Sequence, residues 1–224
     1  MIQSLESFDR IVIFDTETTG INFERDRIIE IGAASWERGE ELDSFDCFIR
    51  LPRGQSVPSF IVQLTGITDQ LLLDEGVSER EAAESFQRLL AGAERPLLAA
   101  YNAQFDLNFL FHLLQPLNMV SILQPPRFLD VLTVYRDRRD YPHKLCNAID
   151  AYGLGDRVVN SHRAVDDARA TAALLESMAA EQDDLDRYLD LFGVHPKHGV
   201  SGRRIASVTY RPQPFRRTVP LYAR

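Results

Sequence analysis

The chain has 224 residues, 45% apolar and 26% charged, with a formal net charge of −8. That composition suits one soluble globular domain with an appendage, or at most two small domains. The opening M-I-Q-S-L-E-S-F-D-R has no basic n-region or long apolar run, no segment reaches the length of a membrane span, and Cys47 and Cys146 are isolated; no signal peptide, no membrane contact, no disulfide framework and no zinc spacing are therefore expected, and a cytoplasmic protein is.

In chain order, R-I-V-I-F at 10–14 is an apolar run of strand length, and I-I-E-I-G-A-A-S-W at 28–36 alternates well enough for a second strand. S-F-D-C-F-I-R-L at 44–51 gives a third. The short polar stretch from Glu37 to Asp43 between them suggests an antiparallel pair. P-R-G-Q-S-V-P is a loop, and S-F-I-V-Q-L-T-G after it is a short amphipathic segment closed by Gly66. A helix is predicted over 78–91, with Ser78 as cap, Glu81 as capping-box partner, and a stripe of Ala82, Phe86, Leu89 and Leu90. Pro96 opens a fourth strand, P-L-L-A-A-Y, and Asn102 leads into a helix from Ala103 to Leu114. P-P-R-F-L-D-V-L-T-V starts extended and turns helical; two more helices follow, from Leu145 to Tyr152 and from Arg163 to Glu181. Three strands, then alternating helices and strands, predict an α/β domain with a mixed sheet.

The first strand runs into two carboxylates, Asp15 and Glu17. Residues i and i+2 of a strand share a face, so the two can bind one hard cation together. Taken alone, the pair is equally a solvated strand end or a turn cap. Asp106 falls in the first turn of the helix after strand four, where the helix dipole favours an anion. In S-H-R-A-V-D-D-A, the stripe Val165, Ala168, Ala172, Leu175 and Ala179 centres about 150° from Asp166 and about 110° from Asp167. Asp167 is therefore placed at the stripe's border and Asp166 in water. His162 precedes this helix, with Ser161 as a plausible N-cap, and a histidine beside carboxylates suits general-base work near neutral pH. Four converging carboxylates could not all stay ionised without cations. Two Mg²⁺ ions would neutralise them and support in-line displacement at phosphorus.

F-D-T-E-T-T-G, Y-N-A-Q-F-D and H-R-A-V-D-D, in this order and spacing, resemble the three motifs of the DEDDh 3′–5′ exonucleases. That family includes the proofreading epsilon subunit of bacterial DNA polymerase III, the exonuclease domain of the Gram-positive replicative polymerase, and several ribonucleases. The likeness covers residues 8 to 180. It implies a ribonuclease H-like fold, a mixed five-stranded sheet flanked by helices, with two Mg²⁺ or Mn²⁺ ions per site. By that resemblance Asp15, Glu17, Asp106 and Asp167 hold the metals and His162 activates the water. Thr16, Thr18, Thr19 and Gly20 would lie by the 3′-terminal nucleotide, where a residue without Cβ lets backbone approach. Leu64, Thr65 and Gly66 would pack on its base and sugar, and Asn102 and Phe105 also match. Where many relatives have His before N-A-x-F-D, this chain has Tyr101.

An exonuclease domain is expected over 1–181 and an extension over 182–224. From His195 onward the extension carries seven Lys and Arg and no acid, which leaves −15 on residues 1–194. A basic tail favours phosphate contact, and the β-like run I-A-S-V-T-Y within it can add a strand, wrap the domain, lead nucleic acid inward or stay solvated. Y-L-D-L-F at 188–192 resembles a sliding-clamp-binding peptide with Tyr188 in place of Gln; the simpler expectation packs Leu185, Leu189 and Phe192 on the body. The expected activity is release of 5′-nucleoside monophosphates from the 3′ end of single-stranded or frayed DNA, in proofreading or repair, with a polymerase or sliding clamp as possible partner. The alternatives are an RNA-trimming 3′–5′ exoribonuclease and a non-catalytic nucleic-acid-binding module.

Overall fold

The computed structural model describes residues 2–158 and 162–192. Ser161 and the basic segment from His195, with its β-like run, lie outside the described residues.

Five strands form one sheet in the order β3-β2-β1-β4-β5. β1 (Arg10–Thr18), β2 (Ile28–Glu37) and β3 (Glu40–Phe48) pair antiparallel, and β4 (Pro96–Ala100) and β5 (Arg127–Asp130) add to β1 in parallel. The helices are α1 (Ser59–Thr65), α2 (Asp69–Asp74), α3 (Glu79–Leu90), α4 (Ala103–Leu114), α5 (Val131–Arg138), α6 (Leu145–Ala151) and α7 (Ala164–Glu181). This is the mixed five-stranded sheet with flanking helices that the sequence predicted.

The apolar alternation of β1 explains the layering. Val12 and Phe14 face α3 and α4, where the Phe86 ring meets Phe14 edge-on at 5.2 Å. Ile11 and Ile13 face the other way, with Leu174, Leu175 and Met178 of α7. The capping box opens α3 as predicted: Ser78 Oγ accepts from Glu81 N, and the Glu81 carboxylate accepts from Ser78 N at 2.8 Å.

Two strands and one helix differ from the sequence expectation. β1 continues past Phe14 through Thr18, because Asp15 pairs with Gly32 and Glu17 with Glu30 across the ladder. β3 starts at Glu40 and ends at Phe48, not at 44 and 51. Arg38 (φ +52°) and Gly39 (φ +88°) make a two-residue left-handed turn that lets the hairpin close at once. Helix α2 was not anticipated; Thr68 caps it by accepting from Leu71 N at 3.1 Å.

After α7 the chain returns to the body. Arg138 donates to the Met178 carbonyl and to Asp184 Oδ1, both at 2.6 Å. Leu185 is buried, Leu189 half-buried, and the Tyr188 hydroxyl donates to Asp137 Oδ2 at 2.9 Å. Asp190 covers the β5 edge: its N–H donates to the Phe128 carbonyl at 2.8 Å and its carboxylate accepts from Phe128 N at 3.0 Å. Phe192 then enters the α3–α4 core. The packed reading of this segment is the one observed. Among the described residues no helix is long and apolar enough to cross a membrane.

Candidate active site

Pleating puts Asp15 and Glu17 on the β1 face that looks toward α7. The cross-strand partner of Asp15 is Gly32. A Cβ built there would lie 1.9 Å from Val165 N and 2.2 Å from the Ala164 carbonyl carbon, so the first turn of α7 rests on bare β2 backbone. This seat brings Asp167 in. Ligand atoms of Glu17, His162 and Asp167 lie within 4.8 Å of one another.

Asp106 arrives from the other side, in the first turn of α4. It is 3% exposed, and its Oδ1 accepts from Thr16 N at 3.1 Å and Thr16 Oγ1 at 2.6 Å. The α4 start is fixed in turn by Asp130, at the end of β5, whose buried carboxylate accepts from Ala103 N at 3.0 Å and from the Thr133 hydroxyl.

Electrostatically the site is a concentration of negative charge. Burial pushes the Asp15 carboxyl well above its ordinary range, and Asp106, Asp167, Glu17 and Glu30 push it further. Glu17 is raised to about 8 by burial, then by Asp167, Glu30 and Asp106. Asp106 is raised to about 7 by burial, against the pull of the two Thr16 bonds. The chief charges acting on Asp15 and Glu17 are all carboxylates, so a cation must come from outside the chain to let them ionise together. The donor set is hard oxygen plus one imidazole, which fits Mg²⁺ or Mn²⁺. The thiol of Cys47 is pushed up to about 12, by burial first and then Asp46 and Glu30, and stays protonated.

Two residues of this region, Glu30 and Gly32, escaped the sequence reading. Glu30 on β2 is fully buried, and burial raises it to about 7 despite its bond from Arg163. Its Oε1 accepts from Arg163 Nε at 2.7 Å and its Oε2 from Ala164 N at 3.3 Å. Glu30 thus caps α7 from a neighbouring strand. The N-cap is Arg163, with no side-chain cap of its own, rather than Ser161. The buried face of α7 is also wider than predicted: Ala164, Asp167, Ala168, Thr171, Leu174, Leu175 and Met178 are buried, whereas Val165 and Ala172 are not. Asp167 lies inside that face at 6% exposure, and Asp166 does not. The alanine-rich turns carry too little contrast in size and polarity for the stripe to be centred from sequence.

The nucleotide-contact candidates fall in three places. Thr16 and Thr18 alternate with the acids on β1, and Thr19 and Gly20 follow the strand. The Thr18 hydroxyl donates to the Gly20 carbonyl at 2.6 Å, and Thr19 Oγ1 accepts from Arg27 N at 2.9 Å. Gly20 has an internal reason to lack a side chain, since a Cβ would meet Asp26 Oδ2 at 2.4 Å. Asn102 (φ +70°) and Phe105, its ring tilted 49° to that of Phe109 at 4.8 Å, flank Asp106 at the start of α4. Leu64 stands 52% exposed on α1, while the Thr65 hydroxyl is spent on the Ile61 carbonyl and Ile67 N, and Gly66 (φ +76°) ends the helix. No polar contact among the described residues joins Leu64, Thr65 or Gly66 to the carboxylates. Tyr101 packs the strand end, its hydroxyl donating to the His143 carbonyl at 2.8 Å.

Because Thr16 grips Asp106 through both backbone and hydroxyl, Thr16→Val is expected to remove one charge-assisted bond and lower stability by about 1.5–3 kcal/mol. Thermal melting with divalent cation present checks this; an unchanged melting temperature would mean the hydroxyl is not holding Asp106.

A family model described as Exonuclease (RNase_T) matches residues 12–175. The DNA polymerase III PolC-type protein of Clostridium perfringens is 35% identical over 183 residues, which cover 81% of this chain and 12% of that one. The DNA polymerase III subunit epsilon of Treponema pallidum is 33% identical over 172 residues, 75% of this chain and 75% of that one. Thus the chain spans only about an eighth of the polymerase's length but most of the epsilon subunit's. Among solved structures, E. coli exonuclease I in complex with a dA16 oligonucleotide superposes with a TM-score of 0.69 at 19% identity, over 80% of this chain and 42% of that one; this is a likeness of fold.

Proposed function

The chain belongs to the exonuclease family, and we propose that it is a metal-dependent 3′–5′ exonuclease acting on single-stranded or frayed DNA ends in proofreading or repair. The observation that carries this reading is the cluster of half-buried Glu17, buried Asp167 and exposed His162, its ligand atoms within 4.8 Å of one another, with the carboxyls of Asp15 and Asp106 raised beside it. The polymerase III relatives favour DNA as the substrate.

In this mechanism Asp15, Glu17, Asp106 and Asp167 would hold the divalent cations. Two bound Mg²⁺ or Mn²⁺ ions would supply a more acidic attacking water and a clamp on the charge that develops at phosphorus. Thr16 keeps Asp106 aimed inward. Exposed His162 takes the proton of the attacking water, which a neutral imidazole can do near neutral pH. The water oxygen bonds to phosphorus as the P–O3′ bond breaks; the O3′ of the shortened strand leaves and takes a proton from solvent, and a 5′-nucleoside monophosphate is released. Thr18, Thr19, Gly20, Leu64, Asn102 and Phe105 are assigned to hold the terminal nucleotide.

We take residues 1–181 as the catalytic unit and 182–224 as an extension, basic from His195 and directed at phosphates. A polymerase is the proposed partner and the cytoplasm the proposed setting. A sliding clamp that gripped residues 188–192 would have to pull Tyr188 and Phe192, 2% and 1% exposed, out of the core.

Matched 3′-labelled DNA and RNA oligonucleotides, with Mg²⁺ or Mn²⁺ and with chelator, test the reading. DNA is expected to be shortened at least about tenfold faster than RNA, with all activity lost on chelation. Faster RNA trimming would replace the DNA assignment with exoribonuclease. Binding without hydrolysis would leave a non-catalytic module.

A further inference from the structure

We propose that Arg163 is a positioning residue that holds His162 where it can take the proton; this rests on His162 being the base assigned above. The His162 side chain is exposed, so packing around the ring does not orient it. Its orientation has to come from the backbone, and that backbone is strained: His162 has φ +56°, a left-handed conformation that a non-glycine residue keeps only when its neighbours hold it.

The neighbour, Arg163, is held by several contacts. Arg163 Nε donates to Glu30 Oε1 at 2.7 Å and Nη2 to Asp46 Oδ2 at 3.2 Å. Its guanidinium lies 4.9 Å over the Phe48 ring. Its carbonyl accepts from Asp167 N at 3.0 Å, and the other oxygen of Glu30 takes Ala164 N. One arginine therefore ties β2, β3 and the first turn of α7 together immediately after the strained histidine. Glu30 sits at the bottom of this bracket, fully buried, two residues before the Gly32 seat. A planar fork stacked on an aromatic ring is a geometry lysine cannot copy.

A double-mutant cycle on 3′-labelled single-stranded DNA tests this, using the full chain, Arg163→Ala, His162→Ala and the combination. Arg163→Ala is expected to lower kcat by about 30- to 100-fold with KM changed less than about twofold, the loss that a displacement near 1 Å brings. In the His162→Ala background the same change is expected to cost less than about threefold, because the group that Arg163 serves is gone. Arg163→Lys is expected to recover part of kcat, and the gap to the parent chain to narrow at alkaline pH, where hydroxide replaces the base. If Arg163→Ala costs as much without His162 as with it, Arg163 supports the fold or Asp167 and the inference fails. An unchanged kcat in Arg163→Ala also overturns it. A fully active His162→Ala chain would instead overturn the assignment of the base. Should Arg163→Ala not fold, the cycle with Arg163→Lys reads the same coupling.

Discussion

Asp15→Asn is expected to lower exonuclease turnover by about three orders of magnitude or more, and at the same time to raise the melting temperature of the metal-free protein. Both effects come from one carboxylate. Asp15 is proposed to hold cation, and its charge is opposed by burial and by Asp106, Asp167, Glu17 and Glu30. A carboxyl raised in the folded state gives stability that is fully present below its unfolded pKa and is lost as pH rises through the folded one. For Glu17 that window runs from 4.5 to about 8, and for Asp106 from 3.8 to about 7. The metal-free parent chain should therefore melt progressively lower between about pH 5 and pH 8, and added Mg²⁺ or Mn²⁺ should reverse the loss. Asparagine removes one of the opposed charges, so its curve should be flatter and higher by several degrees, each kcal/mol being worth roughly 2–4 °C in a chain of this size. Melting from pH 5 to 8.5 in chelator, with and without divalent cation, checks the stability half. A parent chain whose melting temperature rose over that interval would contradict the clustering of acids.

Gly32→Ala is expected to cost about 100-fold in kcat and about 1–3 kcal/mol in stability. The new methyl would meet Val165 N at 1.9 Å and the Ala164 carbonyl carbon at 2.2 Å. These are backbone atoms of a helix clamped at Glu30, not the end of a flexible side chain. The first turn of α7 must lift, carrying Asp167 away from Asp15 and Glu17. Gly54→Ala is the control: nothing lies within 4 Å of its added Cβ, but its φ of +83° still penalises alanine. It should lose stability and keep its rate. Equal rates for the two variants would show that α7 does not depend on the bare backbone at Gly32.

What the sequence revealed, and what it hid, follows from how local each signal is. Asp15 and Glu17 were legible because strand pleat alone places both on one face, and Asp106 because a polar turn after an apolar strand announces a helix start. Asp167 was separated from Asp166 by helical period, in agreement with the family resemblance, although the stripe used was misplaced among alanines. Glu30 looked like an ordinary polar position in a strand, since its meaning depends on Arg163, far along the chain. Gly32 was hidden for the same reason: only the crossing of α7 makes its missing side chain necessary. The short α2 helix and the early start of β3 were missed through turn chemistry, a threonine cap and an Arg38–Gly39 hairpin, rather than through any error of hydrophobic pattern.

β1 stands at the middle of the sheet, and its two acids wait for a partner carried on α7, the last long helix among the described residues. This order has a consequence for biosynthesis. A chain emerging from the ribosome would form the β1–β3 hairpins early, and Asp15 and Glu17 with them, but neither His162 nor Asp167 exists until most of the domain has been made. The nascent protein would therefore carry no working nuclease. On the proposed site, premature termination anywhere before His162 would release a fragment that lacks both His162 and Asp167.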